Sequence, residues 1–92
     1  MDELVRIRRH LHRYPELSFE EHRTAAFIRE KLDKWGISYR HPVATTGILA
    51  RISGNHPGKC IALRSDMDAL PITEQTGLEY RSAEPGVMHA CG

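Results

Sequence analysis

Thr24-Ala25-Ala26-Phe27-Ile28-Arg29-Glu30-Lys31-Leu32-Asp33-Lys34-Trp35-Gly36-Ile37-Ser38-Tyr39-Arg40-His41-Pro42-Val43 is the stretch in which the chain changes its period. Up to Trp35 the apolar residues Ala25, Ile28, Leu32 and Trp35 recur at helical spacing, and all four are read as core. Gly36 supplies the left-handed residue that ends a helix, and from Ile37 onward the pattern is extended. Ser18-Phe19-Glu20-Glu21 precedes this helix as a capping box, the serine oxygen taking an orphan N–H and Glu21 reaching back.

Upstream, residues 2–13 are expected to form a first helix. Leu4, Ile7 and Leu11 share one face, Asp2 can cap the start and Pro15 stops it. Downstream, Ile37 to Val43 reads as a strand whose Pro42 favours an edge, and Gly47 to Ser53 reads as a second. Gly54-Asn55-His56-Pro57-Gly58 is dense in turn residues, and Lys59 to Arg64 is expected to be a third, more buried strand paired with the second. Cys60, in that run, is read as a buried, inert thiol. The order helix, helix, strand, strand, strand is the opening of an α/β layered domain with one edge and one apolar face still uncovered.

Composition excludes several classes. The chain has 92 residues, a net charge of +1 and 27% charged residues, which describes a small globular unit with a modest core. The arginines Arg6, Arg8, Arg9 and Arg13 fit a solvated helix face better than a phosphate-binding surface, so no nucleic-acid partner is expected. No run is long and apolar enough for a bilayer, and the start lacks the regions of a secretory leader. A cytoplasmic location and no membrane partner are therefore expected. Two cysteines make no disulfide framework.

Two places could carry chemistry. Leu63-Arg64-Ser65-Asp66-Met67-Asp68-Ala69-Leu70-Pro71 puts two aspartates just past the expected third strand, where α/β sheets hold their ligands. In extended chain both carboxylates point one way and would repel each other without a cation. A turn in which each caps local N–H groups accounts for the same spacing. Met88-His89-Ala90-Cys91-Gly92 offers an imidazole and a thiol, preferred ligands of zinc and similar metals. Two such residues do not complete a site, and the residues alone leave a metal role open.

Four separated motifs resemble one family. Arg8-Arg9-His10-Leu11-His12-Arg13-Tyr14-Pro15-Glu16-Leu17-Ser18, Thr46-Gly47-Ile48, Leu63 through Ile72, and Met88-His89-Ala90-Cys91-Gly92 resemble, in order and spacing, the M20 metallopeptidases. Within that family the motifs resemble the subgroup of N-acyl-amino-acid, hippurate and auxin-conjugate amidohydrolases. The resemblance implies an αβα-layered, zinc-peptidase-like catalytic domain of which residues 1–92 are the N-terminal part. It implies two divalent ions, zinc or manganese, in a complete site, with Cys91 a metal ligand and Asp68 orienting a metal-bound group. Asp66 would line the site without ligating, and His89 would support it without metal contact. His12, Pro15 and Glu16 match a motif for which a structural role is expected.

The implied reaction is hydrolysis of the amide in an N-acyl amino acid or peptide-like substrate. The metal pair activates a water, and a glutamate not found in these residues moves its proton. Neither stable metal binding nor turnover is expected of this chain alone. A non-catalytic binding or assembly module derived from the same fold is the alternative, as is a free-thiol redox role for Cys91. Self-association through an exposed sheet edge is also expected to be open to it.

Overall fold

A computed structural model describes residues 2–90. Two helices come first, α1 (Asp2–Arg13) and α2 (His22–Lys34), followed by an antiparallel hairpin of β1 (Ser38–Val43) and β2 (Gly47–Arg51). The acidic pair Asp2 and Glu3 opens α1, and His10, His12 and Arg13 occupy its last turn, each sign complementing the helix dipole. The helices run antiparallel: His10 stacks on Phe27 at 4.0 Å, and Glu3 near the start of α1 meets Lys34 at the end of α2 at 3.7 Å.

The start of α2 differs from expectation. The helix begins at His22, and Glu21 at its N-cap makes no side-chain capping bond. The orphan N–H groups are instead satisfied from outside. Glu16 accepts from the Thr24 amide at 2.6 Å through one oxygen, and from the Arg23 amide at 3.2 Å and the Arg23 guanidinium at 3.3 Å through the other. A carboxylate against a helix N-terminus is favoured by the dipole as well as by the bonds. Ser18 is therefore part of the connection, and Phe19 in that connection holds a positive φ of 63°.

The end of α2 follows the sequence. Gly36 has φ 68°, its N–H donates to Asp33 O at 3.1 Å, and Ile37 N–H donates to Leu32 O at 2.9 Å. These are the two bonds of a Schellman motif. Trp35 stands at the C-cap and is 46% exposed, so it contributes less to the core than its spacing suggests.

Glu21 has a different task. Its buried carboxylate accepts from the Thr46 hydroxyl at 2.8 Å, tying the hairpin turn to the start of α2. Ala44 and Thr45 have positive φ in that turn, and Gly47 closes it against Val43. A Cβ at Gly47 would lie 2.5 Å from the Val43 carbonyl oxygen, so no other residue fits without moving backbone. The Thr46-Gly47 pair is thus a geometric requirement of the hairpin.

The expected third strand is not formed. Residues 59–64 pair with no strand among the described residues, where β2 takes its only strand partner from β1. Ile61 is 90% and Leu63 98% exposed, and Cys60 is exposed as well, so the reading of a buried thiol in a β2-paired strand is corrected. An extended segment acquires burial only from sheet neighbours and a covering layer, and neither is present among the described residues. The closed core is accordingly small: Ala25, Ala69 and Pro15 are its most buried apolar residues. The radius of gyration is 14.9 Å, larger than the roughly 12 Å of a compact chain of this length.

Candidate metal-binding edge

The motifs separated in sequence meet after α1. The chain leaving α1 passes through buried Pro15, and Glu16 O accepts from Ala69 N at 2.8 Å, forming a parallel bridge between Leu17 and Ala69. Leu70 then exchanges backbone hydrogen bonds with Met88, at 2.9 and 3.0 Å. Two isolated bridges thus bring the His12-to-Leu17, Asp66-to-Pro71 and Met88-to-Ala90 segments together. Glu16 serves twice, its carboxylate capping α2 and its carbonyl anchoring Ala69.

The two aspartates have separate settings. Asp66 is exposed, forms an ion pair with Arg64 at 2.8 Å, and lines an open cleft together with Ser65 and Met67. Asp68 is half-buried and near enough to His89 for its charge to be felt there. Burial pushes the His89 imidazole below the ordinary histidine range, and nearby His12 lowers it further. The Asp68 carboxylate and backbone carbonyl pull it the other way without prevailing. His89 is therefore neutral near pH 7, and its Nε2 is buried without a hydrogen-bond partner among the described residues.

An unpartnered imidazole nitrogen beside a carboxylate is chemistry that fits the margin of a divalent-cation site. It is a margin only: the described residues hold no group of three or more His, Cys, Asp or Glu side chains arranged for an ion. Cys91, the expected ligand, lies outside the described residues.

A further pair joins this edge. The His12 Nε2 and Glu74 Oε1 lie 2.8 Å apart, with the Glu74 side chain only 3% exposed. The Thr76 hydroxyl, the Ser82 amide and His12 outweigh burial to hold the Glu74 carboxyl below its ordinary range, so it is ionised and can only accept. His12 Nε2 accordingly carries the proton. Tyr80 stands edge-on to the His12 ring at 5.9 Å, and the Arg9 guanidinium lies 4.6 Å over the Tyr80 ring. Sequence reasoning missed Glu74, because its partner is 62 positions away and no local spacing announces it.

The cleft beside this edge measures about 900 Å³ and runs between the helices, β2 and the Leu63-to-Met67 segment. Leu4, Ile7, Ile28, Leu32, Ile48 and Leu63 give it an apolar wall. It is the uncovered face that the sequence pattern anticipates.

Two helices leading into an antiparallel hairpin, with the Asp68 and His89 motifs bridged behind them, match the N-terminal part of solved M20 peptidase structures. The model of the peptidase family M20/M25/M40 matches residues 62–92. The chain is 56% identical over 90 residues to the N-acetyl-L-cysteine deacetylase of Bacillus subtilis, covering 98% of this chain and 22% of that protein. It is 48% identical over 90 residues to an N-acyl-L-amino acid amidohydrolase of Geobacillus stearothermophilus, covering 98% and 24%. Among solved structures, the Bacillus subtilis YXEP protein, described as a dinuclear metal-binding peptidase of the M20 family, superposes with a TM-score of 0.92 at 46% identity. That match covers 98% of this chain and 26% of the other. The chain therefore spans about a quarter of the length of the proteins it matches. No helix among the described residues is long and apolar enough to cross a membrane.

Proposed function

We propose that residues 1–92 are the N-terminal part of the catalytic domain of a metal-dependent amidohydrolase acting on N-acyl amino acids. The observation that carries this reading is the juxtaposition of Asp68 with the unpartnered Nε2 of neutral His89, in the segment that leads to Cys91. The names of the relatives supply the substrate class. In this reading Cys91, as its thiolate, would hold a divalent ion, and Asp68 would orient a group bound to that ion. His89 supports the site, and Asp66 lines its approach. The ions, zinc or manganese and two in a complete site, supply Lewis acidity toward the amide carbonyl and the attacking water. Asp68 is suited to its part because it is half-buried and can keep one orientation.

The chain alone holds too few ligands for a stable ion and is read as inactive by itself. The test replaces the corresponding N-terminal region of the Bacillus subtilis N-acetyl-L-cysteine deacetylase with these 92 residues. The chimera is expected to hydrolyse N-acetyl and N-benzoyl amino acids with zinc or manganese, and Asp68→Ala and Cys91→Ser are each expected to abolish turnover. The 92-residue chain, assayed beside it, is expected to show none. A well-folded chimera without metal-dependent turnover would instead favour a non-catalytic binding or assembly module. Robust turnover by the 92-residue chain would overturn its reading as inactive.

A further inference from the structure

Glu74 is the most connected carboxylate in the C-terminal half, and the reaction outlined above does not use it. One oxygen accepts from His12 Nε2 and from the Ser82 amide, each at 2.8 Å, and the other accepts from the Thr76 hydroxyl. Ser82 continues the chain of contacts. Its hydroxyl donates to the Val87 carbonyl at 2.6 Å and accepts from the Glu84 amide at 3.1 Å. Val87 directly precedes Met88, whose backbone pairs with Leu70, two residues beyond Asp68. At the other end, Arg13 O accepts from Ala83 N at 2.7 Å, so the end of α1 grips the same turn twice.

The segment carrying His89 has little else to hold it. Residues 72–87 contribute no helix or strand, and Leu70–Met88 is a single isolated bridge. A lone bridge in irregular chain opens readily unless the groups around it are fixed. A buried carboxylate joined to a protonated imidazole nitrogen and a backbone amide fixes them, because separating these groups would leave an ionised oxygen without donors.

We propose that His12, Glu74 and Ser82 form a positioning relay that sets Met88-His89-Ala90, and with it the approach to Cys91, in register against Asp68. The metal-related half of this inference rests on the function proposed above; the structural half does not. In this relay each of the three acts through the backbone of residues 87–88.

Amide hydrogen exchange on the 92-residue chain separates this role from general stability. Glu74→Ala is expected to lower the protection of the Leu70 and Met88 amides about tenfold relative to Ile28 and Leu32 in α2. Glu74→Gln keeps an acceptor oxygen and is expected to restore most of that ratio, as is Ser82→Thr relative to Ser82→Ala. Thr46→Val, which loosens the hairpin instead, is expected to lower protection without changing the ratio in the same direction. In the chimera, Glu74→Ala is expected to raise the cobalt dissociation constant about tenfold, read from the thiolate-to-cobalt absorption band. An unchanged exchange ratio in Glu74→Ala, or Leu70 and Met88 amides that are unprotected in the unsubstituted chain, would overturn the relay. An altered ratio with unchanged cobalt affinity would overturn its link to the metal. A chimera without the band would overturn the reading of Cys91, while the exchange ratio would still decide the relay.

Discussion

The hairpin of residues 38–51 and the extended run of residues 59–64 begin from comparable sequence. Tyr39, Val43, Ile48 and Leu49 in the first are no more apolar than Cys60, Ile61, Ala62 and Leu63 in the second. Only the first is a sheet. Its strands are joined by a turn that Gly47 alone can close, and the turn is fixed to α2 by the Thr46–Glu21 hydrogen bond. The second has neither a short turn to a partner nor a side chain bonded to a neighbouring element. β-propensity is therefore permission, and the anchor decides. The relatives that this chain matches are about four times its length.

The comparison breaks most readily at the anchor. Thr46→Val keeps the shape of the side chain and removes the donor, leaving the buried Glu21 carboxylate without its hydroxyl partner. A hydrogen bond to a charged group contributes about 1.5–3 kcal/mol, and a loss of that size is expected in urea denaturation. Cross-strand amides of Tyr39 and Leu49 should exchange faster in the same variant. If the hairpin survived unchanged, the turn alone would be sufficient and the contrast with residues 59–64 would need another cause.

Glu16 gives a smaller effect with a pH signature. Glu16→Gln weakens the external cap of α2, and replacing a cap of this kind costs about 0.5–2 kcal/mol. Burial raises the Glu16 carboxyl, but the Thr24 and Arg23 donors outweigh it and hold it below the ordinary carboxylate value of 4.5. The sign follows from that depression. The stabilisation is fully present above pH 4.5 and is lost as pH falls through the lower folded-state value. Thermal melts of the parent chain should therefore decline more steeply below that pH than those of Glu16→Gln. Parallel slopes would show that the amides of α2 are capped just as well by water.

How far the sequence could be read follows from the range of each interaction. Both helices, the Gly36 stop and the first two strands were legible because periodicity and terminators act over a few residues. The cap of α2 was not. Ser18 and Glu21 have the spacing of a capping box, yet Glu16 supplies the bonds and Glu21 turns to Thr46. A local pattern was present, and a contact over twenty-five positions took its carboxylate. Residues 59–64 failed as a strand for the opposite reason: their pattern is sound, and no strand pairs with them among the described residues. At the site, Asp66 and Asp68 were found by spacing, but which of them stands beside His89 depends on bridges from Leu17 and Met88. Glu74 had no local signal at all.

The smallest expected effect is the most informative about the extended run. Leu63 is 98% exposed, so Leu63→Ser in this chain should alter stability by less than about 0.5 kcal/mol. Cys60, exposed in the same run, should react with a thiol reagent at nearly the same rate in native buffer as in urea. Both expectations reverse in the chimera with the deacetylase. If residues 59–64 there gain sheet neighbours and a covering layer, Cys60 should become protected, and Leu63→Ser should cost about 2–5 kcal/mol, as truncation of a buried leucine does. The same two residues would then report burial created by partners and not by sequence. A Cys60 that stays reactive in an active chimera would mean that this segment remains outside the sheet. In that case the difference between the hairpin and the extended run would belong to the segments themselves.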